Sequence, residues 1–231
     1  MSPDPFGRAI RDHYHGNRDE PLIDRDGDSI REHAIERWYF GDHTEDSWRD
    51  AWMDGPLLDM GAGAGRDALY YQDQFETVAI EVSEHLVEVM RDRGVHDARV
   101  ADMFSLRNYF NRDRFNSAHA IGTQIGLAAS MGGVRQFLDD LAFVTTPGAT
   151  AVLDNYDPIR AAEKEVFAFR EDPSPGLAYR VYHEVYEGDI GATLVFRLFS
   201  VDRLQEATLG TPWEVTAVDH GETQWRAILK K

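Results

Sequence analysis

The sequence predicts an α/β fold, with a mostly parallel sheet that carries helices on both faces. Short apolar runs alternate with amphipathic segments from Pro56 to Asp157, which is the pattern of a parallel sheet joined by crossover helices. Three glycines at alternate positions separate the first apolar run from the first amphipathic segment. Towards the end of the chain, longer alternating segments replace this pattern and indicate two β-hairpins.

Residues 55–158 are predicted to form the core of this fold. The predicted strands are PLLDM, TVAIEV, ARVAD, NSAHAIG and ATAVLDNYD, and the predicted helices are RDALYYQDQ, EHLVEVMRDRG and GGVRQFLDDLAFVT. Ser83 can cap the second helix at its start, and Gly94 ends it. In the third helix, Val134, Leu138 and Leu141 lie on one face, which should pack on the sheet.

Three further segments flank this core. Residues 1–54 are polar and aromatic and are predicted to form a helical cap, with helices around Ile30–Phe40 and Glu45–Met53. Residues 159–200 are predicted to form a β-ribbon insertion that turns at Gly188–Gly191. The ribbon is interpreted either as a substrate lid or as a dimerisation element. Residues 201–231 are predicted to form a hairpin that turns at His220–Gly221 and brings the main sheet to seven strands.

Composition restricts the classes of function. The 231 residues suit one domain with an insertion, and the absence of cysteine excludes disulfides and thiolate metal sites. The net charge of −17, from 41 acidic and 24 basic residues, is spread along the chain. We interpret this as adaptation to salt, with an anionic surface for a cationic partner as the alternative. Such a surface is poorly suited to nucleic acid, which needs clustered lysine and arginine.

The location in the cell is also an expectation from composition. No apolar run approaches the roughly 20 residues that span a bilayer, and the first residues lack the apolar core of a signal peptide. We therefore expect a cytoplasmic protein that does not contact a membrane.

The glycine-rich stretch Leu57–Leu69 is the main functional signal. Glycines at the first strand-to-helix junction let a ligand approach the backbone closely, although a tight turn alone would also use them. Glu81 follows twenty residues after Gly61, at the end of the second strand, where a carboxylate can accept hydrogen bonds from ribose hydroxyls. Together these features predict a nucleoside cofactor. The dinucleotide fingerprint needs a small residue where Arg66 stands, which disfavours an NAD-dependent oxidoreductase.

The stretch DMGAGAG, Asp59 to Gly65, matches D-x-G-x-G-x-G and resembles the first motif of the class I S-adenosylmethionine-dependent methyltransferases. The resemblance covers roughly residues 50–158 and the last hairpin, and it implies a Rossmann-like fold with S-adenosylmethionine as cofactor. By this resemblance Glu81 holds the ribose, Asp102 and Met103 border the adenine, and Asp59 helps to hold the ammonium end of the methionine, directly or through water. The predicted cofactor residues are Asp59, Gly61, Ala62, Gly63, Gly65, Glu81, Val82, Asp102, Met103 and Ile121.

The methyl acceptor is predicted to be a small molecule. Family members that methylate amides or nucleobases often carry an acidic or Asn-Pro-Pro-aromatic motif after the fourth strand, whereas this chain has AIGTQIGLAAS there. Candidates to line the acceptor pocket are Tyr39, Gln124, Asn155 and Tyr156, together with Trp38, Thr123, His43 and Asp157. Methyl transfer depends mainly on aligning the acceptor with the methyl group, so no catalytic triad is expected. The histidines show no metal-ligand spacing.

Two further interpretations stay open. The alternative to an enzyme is a non-catalytic S-adenosylmethionine sensor, or a partner subunit that kept the cofactor site and lost its acceptor chemistry. A homodimer is possible through the ribbon.

Overall fold

The computed structural model describes residues 3–43, 46–164 and 168–231. The α-helices are α1 Pro5–Tyr14, α2 Ser47–Asp50, α3 Arg66–Tyr71, α4 Glu84–Asp92, α5 Met131–Val144, α6 Pro158–Glu163 and α7 Val201–Thr208. A π-helix covers Glu36–Phe40, and 3₁₀ helices cover Met103–Asn108 and Gln124–Ala128. The strands are β1 Ile23–Asp26, β2 Ser29–Glu32, β3 Leu57–Met60, β4 Thr77–Glu81, β5 Ala98–Val100, β6 Phe115–Ala120, β7 Thr145–Tyr156, β8 Arg170–Glu171, β9 Leu177–Tyr186, β10 Asp189–Ile190, β11 Leu194–Phe199, β12 Glu214–His220 and β13 Gln224–Lys230.

The main sheet has seven strands in the order β12-β13-β7-β6-β3-β4-β5. The pairs from β7 to β5 are parallel, whereas β13 pairs antiparallel with both β7 and β12. The sheet is therefore mixed, and the C-terminal hairpin completes it as predicted. The chain leaves β3 towards β5 and then returns to the other side through β6, so strand order reverses between β3 and β6. This switch point is where ligands bind in open α/β sheets.

Helices cover both faces of the main sheet because successive side chains of its buried strands point to opposite faces. Leu58 and Met60 belong to the apolar cluster that includes α5, whereas Leu57 packs on the other face with Tyr71 of α3. The predicted apolar stripe of α5 is buried. Ser130 caps that helix, because its hydroxyl oxygen accepts a hydrogen bond from the Gly133 N–H. Ser83 caps α4 in the same way, as predicted.

A second sheet joins the N-terminal segment to residues 170–199, which were predicted as separate units. β1 pairs antiparallel with β2 and with β9, while β8, β10 and β11 also pair with β9. The N-terminal segment thus contributes a β-hairpin to the same sheet as residues 170–199. The prediction of an entirely helical N-terminal cap was wrong in this respect.

The helix predicted over Ile30–Phe40 was wrong at its start, because Ser29–Glu32 is strand β2 and the helical turns begin only at Glu36. Gly27 has a φ of 59° in the turn between β1 and β2. The two turn residues are Gly27 and Asp28, and a Gly-Asp pair between strands is a hairpin signal, which the polar character of these strands masked.

Other elements differ in their bounds. The helix predicted over Glu45–Met53 is limited to Ser47–Asp50, and Glu45 lies outside the described residues. The ribbon turns at Glu187 and Gly188, both with positive φ, earlier than the predicted Gly188–Gly191. The TPG stretch, predicted as a turn before the fifth strand, lies inside the bounds of β7, but the pairing with β6 is interrupted there between Thr145 and Thr150, and Gly148 has a φ of 84°. Helices α1, α6 and α7 were not predicted.

Among the helices of the described residues, none combines the length and apolar character needed to cross a bilayer.

Candidate functional site

The glycine loop connects β3 to α3 at the switch point of the main sheet. Gly61, Gly63 and Gly65 have φ values of 66°, 58° and 82°, in the left-handed region that a side chain disfavours. The loop is tied to the neighbouring strand, because the Gly61 N–H donates to the Ile80 carbonyl at 3.0 Å. The three glycines are therefore required by the backbone conformation.

Glu81, at the end of β4, is hydrogen-bonded to the backbone of this loop. Its Oε1 accepts a hydrogen bond of 2.8 Å from the Gly63 N–H, and its Oε2 accepts one of 3.1 Å from the Val82 N–H. Burial raises the pKa of Glu81 to about 7, against these two hydrogen bonds, and the Asp59 carboxylate adds to the rise. The predicted ribose-binding acid thus lies directly against the predicted cofactor loop.

Tyr39 and Gln124, both predicted acceptor residues, lie against the glycine loop. A Cβ on Gly63 would lie 3.0 Å from Cδ1 of Tyr39, and a Cβ on Gly61 would lie 2.7 Å from Cγ of Gln124. Tyr39 comes from the N-terminal segment, whereas Gln124 follows β6 across the switch point. The loop is therefore contacted by one side chain from the N-terminal segment and one from the segment after β6.

Asn155 and Tyr156 lie at the end of β7 and both contact the second sheet. Asn155 is fully buried, and its amide nitrogen donates to the Arg197 carbonyl of β11 at 2.9 Å. It therefore ties the main sheet to the second sheet. Tyr156 is half-buried, and its ring lies 6.3 Å from that of Phe196, on the inward face of the second sheet.

Asp59 is buried under the loop, with 4 % of its surface exposed. Its Oδ1 lies 2.8 Å from Nε2 of His119 on the adjacent strand β6, without the alignment of a hydrogen bond. The contact of Asp59 with the methionine end of a cofactor stays a prediction.

The residues predicted to border adenine lie along the ends of β4 and β5. Asp102 caps the 3₁₀ helix that follows it, accepting a hydrogen bond of 2.8 Å from the Phe104 N–H. Met103 is buried, whereas the Val82 side chain is 65 % exposed beside Glu81. Val82 thus offers an open apolar surface, and Asp102 and Met103 also have a role in the fold.

A buried polar cluster supports α3 behind the loop. The Asp67 carboxylate lies 2.8 Å from Nδ1 of His43 and 3.3 Å from Arg49. Burial opposes its ionisation, but His43 and the nearby cations hold the pKa of Asp67 well below its usual range. His43 also stacks on Tyr70, with ring centroids 3.8 Å apart, so its role here is to hold α3. Trp38, by contrast, is half exposed.

Neither of two cavities in the described structure is lined by the glycines of the loop. One of about 200 Å³ is lined by Ile121, Asp67 and Arg226, among others. A larger one of about 440 Å³ lies between the Met103–Asn108 helix and α5 and has a polar lining that includes Arg107 and Asp140. Ile121, a predicted cofactor residue, borders the smaller of these two cavities.

Sequence reasoning missed a polar group on the inward face of the second sheet. The group consists of Asp24, His33, Tyr182 and Glu184, and it adjoins Tyr39. Nε2 of His33 lies 3.1 Å from the Tyr39 hydroxyl, and Nδ1 of His33 lies 3.3 Å from Oδ1 of Asp24. The alternation in YRVYHEVY placed Tyr182 and Glu184 on one face, but without the β1–β9 pairing nothing showed which face was inward.

Burial raises the pKa of Glu184 to about 7, and the Asp24 carboxylate adds to this rise. The side chain is only 8 % exposed. The folded protein therefore binds a proton at Glu184 at a higher pH than the unfolded chain does. Between the ordinary pKa of a glutamate and pH 7 the folded state holds more protons, so stability falls as pH rises through that window.

We expect this dependence to decrease in Glu184→Gln, which cannot ionise. The free energy of unfolding of the wild type should lose roughly 1–3 kcal/mol more than the variant between pH 5 and pH 8, because the raised pKa of one buried carboxylate is worth about that much. Urea unfolding of both proteins at the two pH values measures the difference. Parallel pH profiles for the two proteins would contradict a buried, titrating Glu184.

Solved structures share this fold. A SAM-dependent methyltransferase from Bacteroides fragilis in complex with S-adenosyl-L-homocysteine is 24 % identical, with a TM-score of 0.81 over 98 % of this chain and 94 % of that chain. A S-adenosylmethionine-dependent methyltransferase from Clostridium acetobutylicum is 12 % identical, with a TM-score of 0.59 over 75 % of this chain and 82 % of that one.

A third similar structure is the 1,6-didemethyltoxoflavin-N1-methyltransferase of Burkholderia thailandensis, with bound 1,6-didemethyltoxoflavin and S-adenosylhomocysteine. It is 14 % identical, with a TM-score of 0.53 over 76 % of this chain and 70 % of that one. No protein-family model and no curated protein matches the sequence. The similarity to the Bacteroides protein spans nearly the whole chain and so includes the second sheet. The chain has the fold of the class I S-adenosylmethionine-dependent methyltransferases.

Proposed function

We propose that the protein transfers a methyl group from S-adenosylmethionine to a small-molecule acceptor. The observation that carries this proposal is the bond between the Glu81 carboxylate and the Gly63 N–H, at the switch point of the sheet. This bond places an acid suited to ribose hydroxyls against a loop that has no side chains of its own at Gly61, Gly63 and Gly65. The shared fold supports the same assignment.

The residues present fit this cofactor. The glycines leave the loop bare of side chains, and Tyr39 and Gln124 pack so closely on it that a Cβ on Gly63 or Gly61 would meet them at 3.0 and 2.7 Å. Glu81 would hold the ribose, while Val82, Asp102 and Met103 would border the adenine. When bound, the cofactor supplies a methyl group on a sulfonium, which an acceptor atom with a free electron pair can displace.

The protein's own contribution is to orient the acceptor and to exclude water. The inward face of the second sheet carries Tyr182 and Phe196, which face Tyr39, Tyr156 and the loop around Gly126. This cover over the edge of the main sheet supports a small acceptor rather than a macromolecule. The surface charge of −17 supports the further proposals that the protein acts in concentrated salt and does not bind nucleic acid.

Direct binding measurements test the proposal. We expect S-adenosylmethionine and S-adenosylhomocysteine each to bind the purified protein with one-to-one stoichiometry in calorimetric titration, and each to raise its melting temperature. NAD should do neither, because Arg66 stands where the dinucleotide fingerprint needs a small residue. Stabilisation by NAD alone would overturn the proposal, and cofactor binding without turnover of any acceptor would favour the sensor interpretation.

A further inference from the structure

Asp154, near the end of β7, is a buried carboxylate that bonds to the backbone of a neighbouring segment. Only 4 % of its surface is exposed. Its Oδ1 accepts a hydrogen bond of 2.6 Å from the Thr123 N–H, and its Oδ2 accepts one of 3.2 Å from the Gly122 N–H. Both donors belong to the segment that follows β6, the strand parallel to β7. Asp154 therefore joins the carboxyl ends of these two strands.

The two bonds hold a turn that has an unfavourable backbone conformation. Gly122 and Thr123 have φ values of 89° and 64°. Glycine adopts this left-handed region readily, but a β-branched residue such as threonine adopts it only with strain. The Thr123 hydroxyl also donates to the Gly122 carbonyl at 2.6 Å. The conformation of Thr123 thus needs support from its surroundings, and the Asp154 carboxylate bonds directly to its N–H.

The burial of Asp154 is itself unfavourable. It raises the pKa of the carboxyl to about 6, although the two N–H bonds, Arg226 and His119 act to lower this pKa. Arg226 is the neighbour of Asp154 on β13, but its guanidinium group bonds to Asp46 and Asp219. A buried carboxylate and a strained threonine therefore occur together at one edge of the sheet. Such features persist where the surrounding structure holds them, and they cluster at functional sites.

The turn places Gln124 on the glycine loop. Gln124 directly follows Thr123 and begins a 3₁₀ helix, in which the next residue, Ile125, is buried in the apolar core of the main sheet. A Cβ on Gly61 would meet Cγ, Cδ and Oε1 of Gln124 at 2.7, 2.9 and 2.9 Å. A ligand on this loop would contact the Gln124 amide, which can both donate and accept hydrogen bonds. The position of this amide depends on the turn before it.

We propose that Asp154 is a positioning residue of the cofactor site. Its carboxylate holds Thr123 in the left-handed conformation, and the turn held in this way keeps the Gln124 amide on the glycine loop, where it contacts the cofactor. The inference rests on the proposed function and adds to it a residue that acts without touching the cofactor. Because Asp154 acts through Gln124, its replacement should change the affinity for the cofactor only while Gln124 is present.

A double-mutant cycle tests this dependence by calorimetric titration with S-adenosylhomocysteine. Asp154→Asn keeps the shape of the side chain but loses its charge and one of its two acceptor oxygens. We expect Asp154→Asn and Gln124→Ala each to lose roughly tenfold in affinity, and the double variant to lose no more than Gln124→Ala alone. Two independent losses would instead multiply to roughly 100-fold.

Two further variants separate positioning from a general loss of stability. Glycine adopts a φ of 64° without strain, so Thr123→Gly added to Asp154→Asn should regain roughly threefold or more of the lost affinity. Asp140→Asn is the matched control, because Asp140 of α5 is also buried, with 5 % exposed, and its partners are Arg107 and Gln136. This control should bind S-adenosylhomocysteine like the wild type.

Three results overturn the inference while leaving the proposed function intact, provided that melting curves show folded variants. They are wild-type affinity in either single variant, losses that multiply in the double variant, and no recovery with Thr123→Gly. If Asp154→Asn does not fold, Thr123→Pro replaces it in the cycle, because proline has no N–H for Asp154 and cannot adopt a positive φ. Failure of the wild type to bind S-adenosylhomocysteine would instead overturn the proposed function, and this inference with it.

Discussion

Gly63→Val is expected to abolish binding of S-adenosylmethionine while the protein still folds cooperatively. Gly63 has a φ of 58°, a conformation that a β-branched residue adopts only with strain. Its new Cβ would also lie 3.0 Å from the Tyr39 ring, and the rest of the side chain would occupy the space proposed for the cofactor. Calorimetric titration should show a loss of affinity of about 100-fold or more, since strain and steric overlap each cost on the order of 1–3 kcal/mol.

Gly94→Val is a matched control for strain alone. Gly94 has a φ of 95° and would place a Cβ in open space, away from the glycine loop. This variant should lose stability but keep its affinity for the cofactor. Asp102→Ala should weaken binding by a smaller factor than Gly63→Val. If Asp102→Ala lost binding and Gly63→Val kept it, the glycine loop would be structural and the cofactor would lie elsewhere.

Glu81→Ala is expected to reduce the affinity for S-adenosylmethionine by roughly 2–4 kcal/mol, or about 30- to 1,000-fold, because it removes one or two charge-assisted hydrogen bonds to the ribose. It also leaves the Gly63 N–H without its acceptor. Titration of the variant against the wild type measures the loss. Glu84→Ala, three residues further on and exposed, should bind like the wild type.

The raised pKa of Glu81 adds a second readout to this experiment. Because that pKa is about 7, the carboxylate becomes fully charged only above neutral pH. A charged acceptor binds ribose hydroxyls more strongly than a neutral one, so the affinity of the wild type should increase from pH 6 to pH 8. Glu81→Gln should lack this increase. An unchanged affinity in Glu81→Ala would remove the ribose assignment.

The main sheet was predictable from sequence because its signals are local. Buried parallel strands are continuous apolar runs, and glycines or caps mark the ends of the helices, as at Ser83 and Gly94. The second sheet was not predictable in the same way. Its strands β1 and β2 are short and polar, and β1 finds its place through pairing with β9, more than 150 residues away. No local pattern carries information about such a partner.

The residues of the candidate site also fall into those with a local sequence signal and those without one. Gly63 and Glu81 were found because a fixed spacing connects them within one strand–helix–strand unit. Tyr39 was named only for its place in the N-terminal segment, and the structure brings it to the loop. Asp24 and Glu184 were missed because each is an ordinary polar residue in its own strand. Only the pairing of β1 with β9 brings the two carboxylates together.

The long-range pairing of β1 with β9 also bears on how the chain folds during synthesis. Asp24 leaves the ribosome before its partner Glu184, which follows only after the strands β3 to β7 of the main sheet have been made. Contacts of such high sequence separation form late, since the intervening chain must first be ordered. In the nascent chain, the edge of β1 that pairs with β9 therefore stays unpaired until β9 has been made. Its polar and charged residues keep that edge from pairing with other chains in the meantime.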